Sequence, residues 1–223
     1  MKKLAFLLGF ALISMFVLTN FSTNARNTTI EERFAIEGAL DEGAAGAYGF
    51  DKAHTTIGFR VKHMGLVEIP GFFRDFTGTI NYDPKDVTKS TVEFTAKIAS
   101  VDTGVAPRNE HLQKPEFFDA AKYPDMTFKS TKIEKKGKDL ILTGDLTIRD
   151  VTKSVSFPFN VAGFIKSDRG TRMGATAETV INRRDFGVNY DQKLPNGVAA
   201  VSDNITVVLN IEANMAAPKP EAK

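Results

Sequence analysis

Apolar and polar residues alternate with a period of two through most of the chain, which is the pattern of strands with one buried face. The first run places Ile57, Phe59 and Val61 on one face. The next two runs do the same for Phe72, Phe76, Ile80 and Tyr82, and for Val92, Phe94, Ala96 and Ile98. Further strands are predicted at residues 126–134, 140–148, 155–165, 173–181 and 201–213. The pattern therefore predicts about eight strands.

The connections between these strands are short and predict an antiparallel meander. Residues 135–138 and 167–170 each contain a glycine that can take a positive φ, as hairpin turns require. Eight antiparallel strands in this order close most naturally into an up-and-down barrel, because closure leaves no exposed edge. The longest strands would reach roughly 40 Å at about 3.3 Å per residue. The predicted fold is all-β, a tall eight-stranded antiparallel barrel.

Residues 100–130 interrupt the alternation. Residues 108–114 are good helix formers that follow Pro107, a residue favoured at the start of a helix. The next stretch, with Phe117, Phe118 and Tyr123 between two prolines, is too apolar for a free loop. The pattern predicts a short helical plug segment over one end of the barrel.

The interior of such a barrel can be a solid core or a ligand tunnel. Its apolar residues are interspersed with small ones, which would leave a tunnel if they face inward: Gly58, Gly78, Ala96, Gly144, Gly163 and Ala175. The pattern alone leaves both alternatives open.

The two ends of the chain differ from the barrel segment, which is predicted at residues 48–215. Residues 1–25, with Lys2 and Lys3 before an uncharged run at 4–18, predict a secretory signal peptide. A membrane anchor would need about 20 apolar residues. Residues 26–47 predict a linker or flexible arm, and residues 216–223 a disordered tail. The chain has no cysteine, so neither a lipid anchor on Cys nor a disulfide is expected.

Charge and motifs argue against several functional classes. The chain has 29 Lys and Arg against 27 Asp and Glu, and removal of Lys2 and Lys3 leaves 27 of each. A neutral chain without a basic cluster does not favour nucleic acid as a partner. The sequence has no G-x-S-x-G, H-E-x-x-H or phosphate-loop motif. His54 and His63 have opposite parity, so no shared metal is expected. A hydrolase built on Glu110 and His111 would lack a nucleophile, whereas an envelope structural or partner-binding module stays open.

A series of motifs in order carries a family resemblance: FDKAHTTIGF (50–59), VKHM (61–64), FTGTI (76–80), SVDTG (100–104), RNEHL (108–112), FKST (128–131), TGDLT (143–147) and VTKSV (151–155). These motifs resemble the YceI family of exported bacterial proteins. The resemblance implies a lipocalin-like barrel that holds a polyisoprenoid chain, such as a polyprenyl phosphate or an isoprenoid quinone, and no other cofactor. The sequence departs from the family at Asn109, usually Asp, and at Arg149-Asp150, usually His-Gly.

The candidate ligand-binding residues are inward apolar positions and polar residues of the plug and mouth. They are Phe59, Arg74, Phe76, Phe94, Ile98, Arg108, His111, Phe117, Phe118, Phe128, Leu142, Leu146, Phe157, Phe159, Met173 and Phe186. No catalytic or metal-binding residue is predicted.

Several of these polar positions have an alternative structural role. Arg108, Glu110 and His111 could either pin the plug or meet a ligand head group, and Arg74 is predicted at a barrel mouth. His63 is predicted to be a core imidazole, and Arg183 and Arg184 to be solvated. The resemblance implies a periplasmic or secreted protein and is compatible with a homodimer, although no apolar stripe requires one.

Overall fold

The computed structural model describes residues 41–216. Its strands are β1 (Gly46–Phe50), β2 (Thr56–His63), β3 (Val67–Phe73), β4 (Phe76–Tyr82), β5 (Thr91–Lys97), β6 (Val101–Asp102), β7 (Asp125–Lys136), β8 (Asp139–Ile148), β9 (Val151–Ser167), β10 (Gly170–Asn182) and β11 (Val201–Ala216). One α-helix, α1, spans Ala106–Leu112. The predicted signal peptide, residues 26–40 of the predicted arm and residues 217–223 of the predicted tail lie outside the described residues.

The eleven strand segments form eight long strands, because the first three are each interrupted once. The pairs β1 with β2, β3 with β4, and β5 with β6 each continue one another. All neighbours are antiparallel and follow chain order from β5 through β7, β8, β9 and β10 to β11. The last strand, β11, then pairs with β2 and β1. The predicted eight-stranded closed barrel in meander order is confirmed.

The three interruptions lie side by side and make a corner in the barrel wall. The Arg74 N–H donates to the Ser100 carbonyl at 3.1 Å, and the Lys97 N–H donates to the Asp75 carbonyl at 2.8 Å. Arg74 and Asp75 separate β3 from β4, and across them the buried positions change from odd-numbered residues in β3 to even-numbered residues in β4. Phe73 and Phe76 both point into the core, at 5% and 3% exposure. The prediction that Phe72 shares the inward face of Phe76 is therefore wrong.

Two of the small inward residues make room for neighbouring aromatic rings. A Cβ on Gly144 would lie 2.4 Å from the Phe128 ring, and one on Gly78 would lie 2.4 Å from the Phe50 ring. These distances are far below van der Waals contact, so both positions require glycine. At these two positions aromatic rings occupy space that the tunnel alternative would leave open.

The plug is confirmed at the end of the barrel where β2, β8 and β10 end, which we call the upper end. Helix α1 follows β6, with Pro107 in its first turn. Behind it, Phe117 is buried at 8% exposure and joins the main hydrophobic core. The plug, residues 108–123, therefore covers the barrel interior.

Candidate functional site

The upper half of the barrel encloses a cavity of about 360 Å³. Its floor and walls are apolar and come from the strands and from the underside of the plug. Its polar groups are contributed by residues of the upper end: His63, Thr103, Arg108, His111, Arg183, Tyr190 and Gln192. We call these seven residues the collar. The cavity therefore has an apolar lower part and polar groups around its upper part.

A second apolar cavity of about 50 Å³ lies in the lower half. Phe94 and Leu209 line both cavities, so these two side chains form the partition between them. The Phe94 ring stacks on Phe128, with centroids 5.7 Å apart and planes 21° apart. Phe128 in turn contacts Phe157 at 5.8 Å. The lower half is thus a nearly solid aromatic core.

The plug is fastened to the barrel by Arg149, which lies in the two-residue turn between β8 and β9. Arg149 Nη1 donates to the carbonyl of Pro115 at 2.8 Å and to that of Phe117. Its guanidinium lies 5.5 Å from the Tyr123 ring centroid, in cation–π geometry. Arg149 and Asp150 both have positive φ, 53° and 61°, which this turn type requires and which disfavours a side chain. The plug contacts offset that cost.

The start of the plug is held by Arg108 and Asn109 through Thr103. Arg108 donates to the Thr103 hydroxyl and carbonyl, both at 2.7 Å. The Asn109 Oδ1 accepts from the Thr103 N–H and hydroxyl, while its Nδ2 donates to Asp102 at 3.3 Å. An aspartate at 109 could not make this last bond and would face another carboxylate. Asn109, in place of the aspartate usual in the family, is therefore compatible with the neighbouring Asp102 carboxylate.

Aromatic contacts join the plug to the loop at residues 187–200. Tyr190 stacks on Phe117, with ring centroids 4.4 Å apart. His111 packs edge-on against both rings, and its Nε2 lies 3.0 Å from the Glu116 carboxylate. Of the three polar plug residues, Arg108 and His111 thus make contacts that hold the plug, and these contacts leave open whether either side chain also meets a ligand head group. Glu110 is exposed. Tyr190, which pattern reasoning missed, completes the cover over the cavity.

Arg183 is a buried charge, contrary to the prediction that it is solvated. It is 7% exposed and donates to the carbonyls of Ser202 and Val188 and to the Asp203 carboxylate at 2.7 Å. Burial lowers the pKa of Arg183, and the Asp203 carboxylate opposes that effect. Arg184 shares Asp203 and also pairs with Asp191. The 3-10 turn Arg183–Phe186, which ends at a left-handed Gly187, places these charges at the upper end.

The structure places the sixteen predicted ligand-binding residues in three groups. Eight line the upper cavity: Phe59, Phe94, Arg108, His111, Phe117, Phe118, Leu146 and Phe186. Five more line the lower cavity: Phe128, Leu142, Phe157, Phe159 and Met173. Arg74, Phe76 and Ile98 line neither. Arg74 lies on the outer surface, 60% exposed, and pairs with Asp102 at 3.0 Å.

The histidines differ from their predicted positions. His63 is only partly buried and belongs to the upper cavity lining, so the prediction of a core imidazole is wrong. His54 lies outside β2, in the turn after β1, where its Nδ1 is 3.1 Å from Asp51 and 3.8 Å from Glu212. The His54 hydrogen bond, with others from the Ala53 N–H and the Asn214 side chain, lowers the pKa of Asp51 to about 2. These three side chains are close enough to share a cation, but Arg172 already pairs with Glu212.

A closed eight-stranded antiparallel barrel with an apolar cavity under a helical plug places the protein in the class of lipocalin-like barrels, which are large enough to leave room for one small ligand. Within residues 41–216, no helix is long and apolar enough to span a bilayer. Residues 48–213 match the YceI-like domain. The chain belongs to the YceI family, as the motifs implied.

Relatives and solved structures agree with this assignment. Protein YceI of Escherichia coli O17:K52:H18 is 36% identical over 173 residues, which cover 75% of this chain and 86% of that protein. The YceI protein of Campylobacter jejuni has a similar structure, with a TM-score of 0.61 and 36% identity over 75% of this chain and 96% of that one. A polyisoprenoid-binding domain from Saccharophagus degradans shares the fold, with a TM-score of 0.58 and 17% identity over 78% of this chain and 100% of that one.

Proposed function

We propose that this chain is an exported, periplasmic or secreted, lipid-binding protein that holds a long isoprenoid chain for storage or transport. The observation that carries the proposal is the upper cavity, which is apolar below and polar at the collar. An isoprenoid with a polar head has the same division, so its tail would lie toward Phe94 and its head at the collar. The solved Saccharophagus domain of the same fold binds polyisoprenoids, which supports this ligand class.

The collar favours a head group that accepts hydrogen bonds. Arg108 and Arg183 contribute guanidinium N–H donors, and His111, Gln192 and Thr103 are further hydrogen-bonding groups. Within residues 41–216, Arg108 has no carboxylate within 4 Å, whereas Arg183 shares Asp203. A phosphate or a quinone carbonyl could accept from these donors, and Arg108 adds charge attraction for the phosphate alone.

We also propose binding rather than catalysis. The collar contains no serine or cysteine nucleophile beside a base, and His111 is turned toward Glu116 and two aromatic rings. A purely structural envelope module is the second candidate, and the packed lower half is compatible with it. The upper cavity favours the binding protein over the structural module. A module that binds no ligand would be more stable with this space filled by side chains, because a cavity costs stability.

Native mass spectrometry of protein purified from an envelope extract tests the proposal. Val207 and Val208 are adjacent on β11, but only Val207 lines the upper cavity. The unmodified protein should retain an isoprenoid of defined mass, Val207→Phe should retain much less because the ring occupies the cavity, and Val208→Phe should match the unmodified protein. Equal retention by both variants, or no lipid on any of the three proteins, would refute the proposed function.

A further inference from the structure

Three apolar side chains project into solvent from two loops at the upper end. Leu66 and Val67, at the hairpin between β2 and β3, are 79% and 54% exposed. Val198, in the loop at residues 187–200, is 38% exposed. We call these three residues the rim. Large apolar side chains exposed together at a ligand cavity indicate an interaction surface.

The rim is the outer side of the same loops whose inner side forms the cavity wall. Met64, Leu194 and Ala200 line the upper cavity. The Met64 N–H donates to the Ala200 carbonyl at 3.0 Å, which ties the two loops together. A ligand that leaves the cavity between these loops would therefore pass the rim.

Both loops are ordered turns that hold the rim outward. The Leu66 N–H donates to the His63 carbonyl at 2.9 Å, and Met64 and Gly65 have positive φ of 51° and 72°, as in a type I′ turn. In the second loop, the Leu194 N–H donates to the Val198 carbonyl at 2.8 Å. The exposure of Leu66 and Val198 is thus fixed by backbone geometry.

The charge pattern indicates what the rim contacts. Residues 64–67 and 194–200 contain no Asp, Glu, Lys or Arg, and the charges that flank them are balanced, with Lys62 and Lys193 against Glu68 and Asp191. Surfaces that bind anionic head groups carry clustered Lys and Arg, whereas uncharged apolar side chains partition into the acyl boundary of a bilayer. The rim therefore suits a lipid bilayer through apolar contact, without charge attraction.

We propose that the rim inserts into the interfacial region of a lipid bilayer, where the head groups meet the acyl chains. This contact brings the upper cavity to the membrane, so that the ligand enters and leaves along an apolar path. This inference rests on the proposed function and adds the route by which the ligand is loaded. It concerns the outer face of the loops, so it can fail while ligand binding stands.

Flotation with vesicles of neutral phosphatidylcholine tests the rim. The three proteins to compare are the exported protein as purified from the envelope, Leu66→Ser/Val67→Ser, and the control Ile165→Ser. Ile165 is 53% exposed but lies near the C-terminal end of β9, at the end of the barrel away from the rim. All three share the same N-terminus, so any contribution from residues 4–18 is common to them.

We expect the double variant to bind vesicles at least roughly tenfold more weakly, because it removes two insertable side chains, and the control to be unchanged. Added anionic lipid should make little difference. Equal flotation of all three proteins, or binding that depends on anionic lipid, would overturn the proposal. So would sedimentation showing that the rim joins two copies of the chain. Uptake of isoprenoid from detergent micelles should be equal in all three, and its absence would count against the proposed function instead.

Discussion

Replacement of Phe94 by alanine should join the two cavities, because Phe94 forms the partition with Leu209. Truncation of a packed phenylalanine costs about 3–5 kcal/mol. Phe94 is 9% exposed and faces a cavity on each side of the partition, so the ring has fewer contacts to lose. We expect a loss near the lower bound, about 3 kcal/mol.

The same change should lengthen the isoprenoid chain that the barrel accepts. Each buried methylene contributes about 0.8 kcal/mol, so one further five-carbon unit is worth at most about 4 kcal/mol. In the unmodified protein, affinity should rise with chain length and then level off when the tail reaches Phe94. In Phe94→Ala the plateau should come about one unit later, and bound ligand should recover much of the lost stability.

The assay is denaturant unfolding combined with affinities for a series of polyprenyl alcohols that differ by one unit. Phe76→Ala is the matched control, because Phe76 is 3% exposed in the same core cluster and lines neither cavity. It should cost more stability than Phe94→Ala and leave the plateau unchanged. If both variants lose stability equally with and without ligand, and neither plateau shifts, the partition at Phe94 does not limit the ligand.

Three further variants test the plug, the collar and the β1–β2 turn. Arg149→Ala removes two hydrogen bonds from the plug backbone, so the ligand off-rate should rise several-fold; an unchanged off-rate would mean that the plug is not the gate. Arg108→Ala should weaken binding of a polyprenyl phosphate more than that of a quinone, by about tenfold for one charged hydrogen bond; equal losses would make Arg108 purely structural. Asp51, with a pKa lowered from 3.8 to about 2, stabilises the fold above pH 4 and loses that contribution as pH falls toward 2. In Asp51→Asn, the free energy of unfolding should therefore depend less on pH between pH 4 and pH 2. An unaltered slope would mean that Asp51 does not contribute to the acid dependence of stability.

The barrel could be predicted from sequence because the alternation of buried and exposed side chains in a strand is visible in each short stretch of the chain. In β8, for example, Leu142, Gly144, Leu146 and Ile148 are all buried, as a period of two requires. Alternation fails where a strand is interrupted. At Arg74 and Asp75 the chain turns a corner and the phase changes, so Phe73 rather than Phe72 faces inward.

Parts of the site depend on contacts between residues far apart in sequence, which pattern reasoning does not register. Arg149 was visible only as a departure from the family motif, and its role appears once the β8–β9 turn meets the carbonyls at 115 and 117. Arg183 was predicted to be solvated because adjacent arginine pairs usually are, yet its hydrogen-bond partners lie on later segments of the chain. The pattern of small residues left a tunnel and a solid core both open, because it does not show that Gly144 makes room for the ring of Phe128.

The most direct test of the central claim is the position of a bound tail. An isoprenoid with a photoreactive diazirine at its tail end would be bound, irradiated and mapped by tandem mass spectrometry. A tail lying in the upper cavity should label Phe94, Leu146 or Leu209, and Val207→Phe should abolish that labelling. Labelling confined to the outer barrel face or to the rim would contradict the account.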